Sequence, residues 1–151
     1  MGVTIVIITF LCMEGITWLS HKFLMHGWLW NLHEDHHNKK TGSVFERNDT
    51  FFIIFAIPSI ALFAAGTFVP GWSTLLYIGL GIFCYGLAYF LVHDIFIHQR
   101  FKLFTRSDNF YLRAIRKAHK VHHKHLQKEE GECFGMLWVP LKYFKAELKR
   151  R

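Results

Sequence analysis

Three long apolar stretches constrain the fold of this chain more than any other feature. They cover residues 3–20, 51–69 and 72–92, and only the first contains a charged residue, Glu14. Each is close to the ~20 residues that a helix needs to cross the hydrocarbon core of a bilayer. Buried helices of a soluble domain would keep a polar face, and the second and third stretches have none. The pattern predicts one all-α integral membrane domain, residues 1–151, with three clear transmembrane helices.

Basic residues are confined to two segments of the chain. No Lys or Arg occurs in residues 1–21 or 51–99, whereas four lie in residues 22–47 and fourteen in residues 100–151. A nucleic-acid-binding protein would spread its positive charge along one face, so the net charge of +7 does not indicate such a partner. The clustering is instead typical of membrane topology, in which cytoplasmic segments carry the Lys and Arg residues.

A turn signal at residues 69–71, Val-Pro-Gly, predicts a tight hairpin between the second and third spans. Three spans place residues 21–50 and 93–151 on the same side of the membrane. The positive-inside rule predicts that this side is the cytoplasm and that the protein lies in the cell membrane. Four spans result instead if residues 72–98 divide into two short segments.

Ten of the eleven histidines form a repeated two-part pattern. An H-x4-H box follows the first apolar stretch, and another extends the third. Each is followed by an H-x2-H-H box, a repetition that chance does not explain. The boxed histidines are His21, His26, His33, His36, His37, His93, His98, His119, His122 and His123. His125 falls outside the boxes.

The spacing of the boxes suits metal binding. In H-x2-H-H, a helix places all three imidazoles on one face, where they bind one ion or straddle two. In H-x4-H, a regular helix points the two side chains apart. Either the helix loosens there, since Gly27 follows His26, or the two histidines serve different metals; the sequence leaves both open.

The number of imidazoles indicates two metal ions. A structural zinc takes four ligands, so ten are too many for one ion. Divided over two ions, they leave positions open for oxygen or substrate, which favours a catalytic site. Imidazole suits Zn, Cu, Fe and Ni alike, so ligand type does not name the metal.

Four acidic residues are candidate hydrogen-bond partners of the ligands. Glu14 lies seven residues before His21 and therefore near the same helix face; the alternative is a protonated acid near the centre of the membrane. Asp94 is expected to orient the imidazole of His98. Glu46 and Asp49, with Asn48 between them, precede the second span, and helix capping explains them equally well.

The basic tail should contain a further helix. Ser107 or Asp108 is a plausible N-cap, and Tyr111, Ile115 and Ala118 recur at helical spacing. The other face of this helix is basic, which suits contact with anionic lipid or with an acidic electron carrier.

The sequence motifs around the histidine boxes resemble those of a known family. The order of the four boxes is similar to that of the fatty acid hydroxylase superfamily. More narrowly, H-K-x-x-M-H-G-W at residues 21–28, F-E-x-N-D at 45–49, H-D-x-x-x-H-Q-R at 93–100 and F-G at 134–135 resemble the bacterial non-haem β-carotene hydroxylases.

The resemblance implies a di-iron monooxygenase that hydroxylates C3 of β-ionone rings, from β-carotene through β-cryptoxanthin to zeaxanthin. It implies two Fe ions, O2, a reduced ferredoxin-type electron donor and a carotenoid drawn from the membrane. The ten boxed histidines match the family's metal ligands, and no other catalytic side chain is implied.

Two alternatives stay open at this stage. The first keeps the chemistry and changes the substrate, as in a fatty-acyl or sterol hydroxylase or desaturase of the same superfamily. The second is a membrane protein that binds or transports metal without redox chemistry. A metal transporter would have its metal ligands inside the transmembrane spans, whereas the histidine boxes lie at the ends of the spans.

Overall fold

The computed structural model describes residues 1–38 and 43–149, and this part of the chain is helical with no strand. Six α-helices and two π-helical segments follow one another along the chain. They are α1 (Gly2–Leu19), π1 (Ser20–Trp28), α2 (Trp30–His37), α3 (Asp49–Phe68), α4 (Ser73–Tyr89), π2 (Phe90–Ile97), α5 (Phe110–His122) and α6 (Leu141–Leu148). Four of the basic residues counted above, Lys39, Lys40, Arg150 and Arg151, lie outside the described residues.

Three helical runs are long and apolar enough to cross a membrane. They are Gly2–Trp28, Asp49–Phe68 and Ser73–Ile97, so α1 with π1 and α4 with π2 each form one continuous span. Leu11, Ile60 and Phe83 are exposed on their outer faces, which suits contact with lipid. The prediction of an all-α membrane domain with three spans is confirmed for the described residues, and residues 72–98 are not divided.

The turn between α3 and α4 is the one that the sequence predicts. The Trp72 N–H donates to the Val69 carbonyl over 3.1 Å, which closes a β-turn. Gly71, its third residue, has a φ of 84°, a conformation that favours glycine. The two helices therefore run antiparallel from a tight hairpin.

Helix α4 packs against both α1 and α3, and glycines allow the close approach. A Cβ on Gly81 would lie 2.6 Å from Thr9 Cβ on α1, and one on Gly79 would lie 2.7 Å from the Phe63 backbone nitrogen on α3. Within the described helices, α1 and α3 make almost no contact with each other. A crevice therefore separates α1 from α3, with α4 as its floor.

The tail folds back over the ends of the spans. Helix α5 packs against π2 and α6. Ile115 and Ala118 are fully buried, as their spacing predicts, and so is Ala114. The predicted cap was wrong: the Asn109 side chain caps α5 by accepting from Tyr111 N and Leu112 N. Ser107 lies two residues earlier and accepts from the Asn109 N–H instead.

Candidate metal centre

The boxed histidines meet at the ends of the spans in two groups. The ligand nitrogens of each group lie within 4.8 Å of one another. The first cluster consists of His21, His26, His33, His37 and His122. The second cluster consists of His36, His93, His98 and His119. His123 lies beside the second cluster, with its Nε2 2.9 Å from that of His119.

The H-x4-H boxes lie on the two π-helical segments. In such a segment, residue i+5 bonds back to residue i, so residues five apart fall on one face. The His98 N–H donates to the His93 carbonyl over 2.8 Å in this way. His21 and His26 accordingly point into one cluster, and His93 and His98 into the other. Of the two alternatives that the sequence leaves open, the loosened helix is the one observed.

The H-x2-H-H boxes straddle the two clusters. On α2, His33 and His37 point into the first cluster and His36 into the second. On α5, His122 belongs to the first cluster and His119 to the second. Each box therefore links the two groups, and the groups lie side by side.

Four Nδ1 atoms of the first cluster donate hydrogen bonds to backbone carbonyls. These bonds join His21 to Phe134 O (2.9 Å), His26 to Lys128 O (3.0 Å), His37 to His125 O (2.9 Å) and His122 to Glu132 O (2.8 Å). A carbonyl oxygen only accepts, so each ring carries its proton on Nδ1 and presents a lone pair on Nε2.

Three further Nδ1 atoms donate to side chains. His33 donates to Asn48 Oδ1 (2.6 Å), and in the second cluster His36 donates to Glu46 Oε2 (2.8 Å) and His93 to Asp94 Oδ1 (2.9 Å). Partners of this kind fix the tautomer and orientation of metal-binding imidazoles.

The inward Nε2 atoms lie at distances that fit shared metal ligands. They are His21–His33 (3.1 Å), His33–His37 (3.2 Å), His26–His122 (3.2 Å) and His36–His93 (3.3 Å). Two lone pairs cannot hydrogen-bond to each other, so these contacts need a cation between them. A metal about 2.0–2.1 Å from each nitrogen, with ligands at right angles, separates neighbouring nitrogens by about 3 Å. The donor set therefore fits two metal ions.

Burial keeps the imidazoles in the neutral form that metals require. Loss of solvent lowers the pKa of His33, His122 and His123 to about 2 and that of His37 to about 4. Repulsion between neighbouring imidazolium groups lowers these pKa values further. At neutral pH these rings hold no extra proton.

The metal-free protein should lose stability as the pH falls below about 6.5, where an unfolded histidine takes up its proton. In the folded state the pKa of His37 is about 4 and that of His33 about 2. Between these values the unfolded chain binds more protons, so the free energy of unfolding decreases with falling pH. Thermal unfolding of chelator-treated protein at several pH values measures this. A midpoint independent of pH would contradict buried neutral rings.

A charged network surrounds the second cluster. Arg100 forms a paired contact with Asp49, Nη1 to Oδ1 at 2.7 Å and Nη2 to Oδ2 at 2.9 Å. Its Nη1 also lies 3.6 Å from Asp94 Oδ1, and its Nη2 3.9 Å from Glu46 Oε2. The hydrogen bond to Asp49 and the neighbouring carboxylates raise the pKa of Arg100. Arg100 thus offsets part of the negative charge on the carboxylates that orient His36 and His93.

The network adds partners to two of the predicted acidic residues. Asp94 accepts from the ring of its neighbour His93, and its expected bond to His98 stays a prediction. Asp49 pairs with Arg100 and accepts from the Glu46 N–H, so it acts on the site through other residues. Glu46 does contact a boxed histidine, as expected.

Glu14 supports the site from within the first span. Its Oε1 accepts from the backbone N–H groups of Met136, Leu137 and Trp138 at 3.0, 2.9 and 2.9 Å. Its Oε2 accepts from the Tyr85 hydroxyl at 2.7 Å. Glu14 therefore anchors the segment just after Phe134, whose carbonyl orients His21.

Sequence reasoning missed Arg100 and the carbonyl acceptors of residues 125–134. Arg100 lies two residues after His98, the last residue of a histidine box. The three acidic residues proposed near the ligands, Glu46, Asp49 and Asp94, indicated that a basic partner was needed there. Backbone carbonyls leave no trace in the sequence. Among the described residues, the side chain of His125 belongs to neither cluster, while its carbonyl orients His37.

An apolar cavity adjoins the two clusters. Met13 of α1, Phe55 of α3 and Ile82 of α4 form part of its walls. Asn48 and Asp94, which bond to one histidine of each cluster, line its inner end. The cavity therefore ends at side chains that hydrogen-bond to a histidine of each cluster.

Comparison with known proteins agrees with this architecture. The fatty acid hydroxylase family model matches residues 6–142. "Beta-carotene hydroxylase" of Pseudescherichia vulneris is 43% identical over 135 residues, which cover 89% of this chain and 75% of the relative. The protein of the same description from Pantoea ananas is 40% identical over 148 residues, which cover 97% and 83%.

A plant protein extends the range of relatives. "Beta-carotene 3-hydroxylase 1, chloroplastic" of Arabidopsis thaliana is 41% identical over 125 residues, which cover 80% of this chain and 39% of the relative. No solved structure matches the chain. The family match extends from the first span to α6 and includes every boxed histidine, so the chain belongs to the fatty acid hydroxylase family.

Proposed function

We propose that this protein is a β-carotene 3-hydroxylase, a non-haem di-iron monooxygenase that converts β-carotene through β-cryptoxanthin to zeaxanthin. The observation that carries the proposal is the pairing of two imidazole clusters with an apolar cavity beside them. The bacterial relatives named as β-carotene hydroxylases match along most of their length, which supports the choice of substrate.

Iron is the proposed metal, and the ten boxed histidines are the proposed ligands. Bound iron would supply activation of O2, which side-chain acids and bases cannot provide. Each turnover replaces one C–H bond at C3 of the ring by C–OH. The second oxygen atom leaves as water, which takes two electrons from the donor and two protons from the solvent.

The protein's own part is to place the substrate and exclude water. The carbonyls of Phe134, Lys128, Glu132 and His125 fix the rings of the first cluster, and Glu46 and Asp94 fix two rings of the second. The apolar side chains of the cavity wall, among them Met13, Phe55 and Ile82, would hold a hydrocarbon ring and displace water from its surface.

A ferredoxin-type protein is the proposed electron donor. Arg106, Arg113, Lys117 and Lys120 line a shallow basic depression on the outer side of α5. The opposite face of α5 carries His119 and His122. An acidic carrier docked there would be separated from the clusters by the width of one helix, and its charge would complement the basic residues.

The clusters are proposed to face the cytoplasm. The basic segments that precede α3 and follow π2 lie on the same side as the histidine boxes. The positive-inside rule assigns that side to the cytoplasm, where a soluble reduced donor is present.

Expression in a β-carotene-producing host should convert the pigment. Chromatography of extracted pigments is expected to show loss of β-carotene and appearance of β-cryptoxanthin and zeaxanthin under aeration. A His122→Ala variant serves as the control, since it removes a proposed ligand without touching the cavity wall. Unchanged β-carotene at good expression would contradict the proposed substrate.

The family description favours a fatty-acyl substrate as the second candidate. Lipid analysis of the same cultures for hydroxylated or desaturated acyl chains distinguishes it from the carotenoid. Metal analysis of purified protein separates both from a metal-binding protein without redox chemistry. Two irons per chain support the oxygenase, whereas zinc alone with no oxygen-dependent activity opposes it.

A further inference from the structure

One glycine in the cavity wall has empty space in front of it. Among the described residues, a Cβ added to Gly86 would meet no atom within 4 Å. On the same helix, a Cβ on Gly79 or Gly81 would collide with α3 or α1. Gly79 and Gly81 thus serve helix packing. Gly86 instead lines the cavity and leaves room there.

The cavity lies where the spans leave an opening toward the bilayer. Its lining comes from α1 with Met13 and Thr17, from α3 with Phe51 and Phe55, and from α4 with Gly86. Helices α1 and α3 each pack on α4 and make almost no contact with each other in the described structure. A molecule dissolved in the bilayer therefore reaches the cavity sideways, through the crevice between α1 and α3.

The inner end of the cavity is directly connected to the clusters. Tyr89, three residues after Gly86, lies with its ring centroid 4.4 Å from that of His93 at an interplanar angle of 30°. Met25, which also lines the cavity, lies on π1 directly before His26. A group that passes Gly86 therefore arrives beside Tyr89, whose ring contacts His93 of the second cluster.

We propose that the crevice admits a carotenoid end-first from the bilayer, and that Gly86 sets the width available to its terminal ring. This inference rests on the proposed function and adds the entry route and the residue that determines the size limit. The ring is the widest part of β-carotene, so the narrowest point of the wall decides whether it reaches the clusters. The polyene chain behind it stays between α1 and α3, among lipid-exposed apolar side chains.

The shape of the wall explains why a glycine suits this position. The methyl groups of a β-ionone ring extend above and below the ring plane, so they need space on both sides. The interior of a protein contains little free volume. A side chain added where no space is free destabilises the fold. A larger residue at Gly86 would occupy the space of the ring without disturbing the packing of α4.

Binding can be measured without turnover. β-Carotene is achiral, so in lipid alone it gives no visible circular dichroism, whereas an asymmetric protein site induces a band. Zinc-loaded protein in nanodiscs, titrated with β-carotene, is expected to show this band. Gly86→Phe should weaken binding by on the order of tenfold or more, with Gly86→Val intermediate. Zinc content and thermal midpoint should stay as in the unsubstituted protein.

Gly15→Phe is the matched control. A Cβ on Gly15 of α1 also meets nothing within 4 Å among the described residues, and Gly15 is exposed on the outer face rather than in the cavity wall. This variant should keep both the induced band and pigment conversion. Gly86→Ala, the smallest change, serves as the test if the Phe variant fails to fold.

The outcomes separate the inference from the proposed function. Conversion and an induced band that are equal in Gly86→Phe and Gly15→Phe would overturn the role of Gly86 while leaving the activity intact. An unsubstituted protein that converts β-carotene without an induced band would overturn the cavity as its site. Failure of the unsubstituted protein to convert β-carotene would overturn the proposed function itself.

Discussion

Alanine at His36 or at its neighbour His37 should abolish β-carotene hydroxylation, and the two variants should lose different metal ions. His36→Ala removes a ligand of the second cluster, and His37→Ala removes one of the first. Loss of even an outer hydrogen-bonding partner lowers metal affinity about 10- to 100-fold, so loss of a direct ligand should reduce turnover by more than about 100-fold. Neither substitution changes the backbone of α2.

Mössbauer spectroscopy of iron-57-loaded protein distinguishes the two losses. The clusters differ in the outer partners of their imidazoles, so their irons should give separate doublets, and each variant should lack a different one. His125→Ala is the control, because it removes an imidazole from the same region and keeps the carbonyl that orients His37. Near-normal turnover in His36→Ala or His37→Ala, or loss of the same doublet in both, would contradict the assignment.

The contrast between the two clusters has a physical basis in their outer partners. In the first cluster, His21 and His26 donate to neutral carbonyls. In the second, His36 and His93 donate to carboxylates that Arg100 neutralises only in part. A carboxylate partner raises the basicity of the imidazole. The second cluster should therefore hold the more electron-rich metal.

The spans and the histidine boxes could be predicted from the sequence because both are side-chain patterns. Uncharged stretches indicate lipid exposure, and the repeated boxes indicate a shared site. The arrangement within the boxes could not be predicted. It depends on i→i+5 backbone hydrogen bonds such as that from His98 N to His93 O, which no spacing rule requires.

The partners of the acidic residues escaped prediction for a related reason. Asp94 was expected to orient His98, and the structure shows in addition its bond to the adjacent His93. For Asp49 the sequence left a role near a ligand and helix capping equally open, and the structure shows two hydrogen bonds to the guanidinium of Arg100 instead. The position of Arg100 depends on how residues 98–100 leave the span, with Gln99 at a φ of 54°.

Glu14→Ala should destabilise the protein strongly although Glu14 touches no metal-binding ring. The substitution removes the acceptor of three backbone N–H groups, at Met136, Leu137 and Trp138, and of the Tyr85 hydroxyl. Each buried donor left without a partner costs about 1–3 kcal/mol, so the free energy of unfolding should fall by about 3 kcal/mol or more. Thermal unfolding in detergent measures this loss.

Glu14→Gln should recover most of that stability because of how the two carboxyl oxygens are used. The amide oxygen can take the place of Oε1 and accept from the three N–H groups, while the amide nitrogen donates to the Tyr85 oxygen, reversing that bond. Glu129→Ala, at an exposed position, should change stability by about 0.5 kcal/mol or less. In Glu14→Ala the Phe134 carbonyl should also shift from His21, so metal content of the first cluster should fall with stability. A Glu14→Ala protein with unchanged midpoint and metal content would show that residues 134–138 hold their position without Glu14.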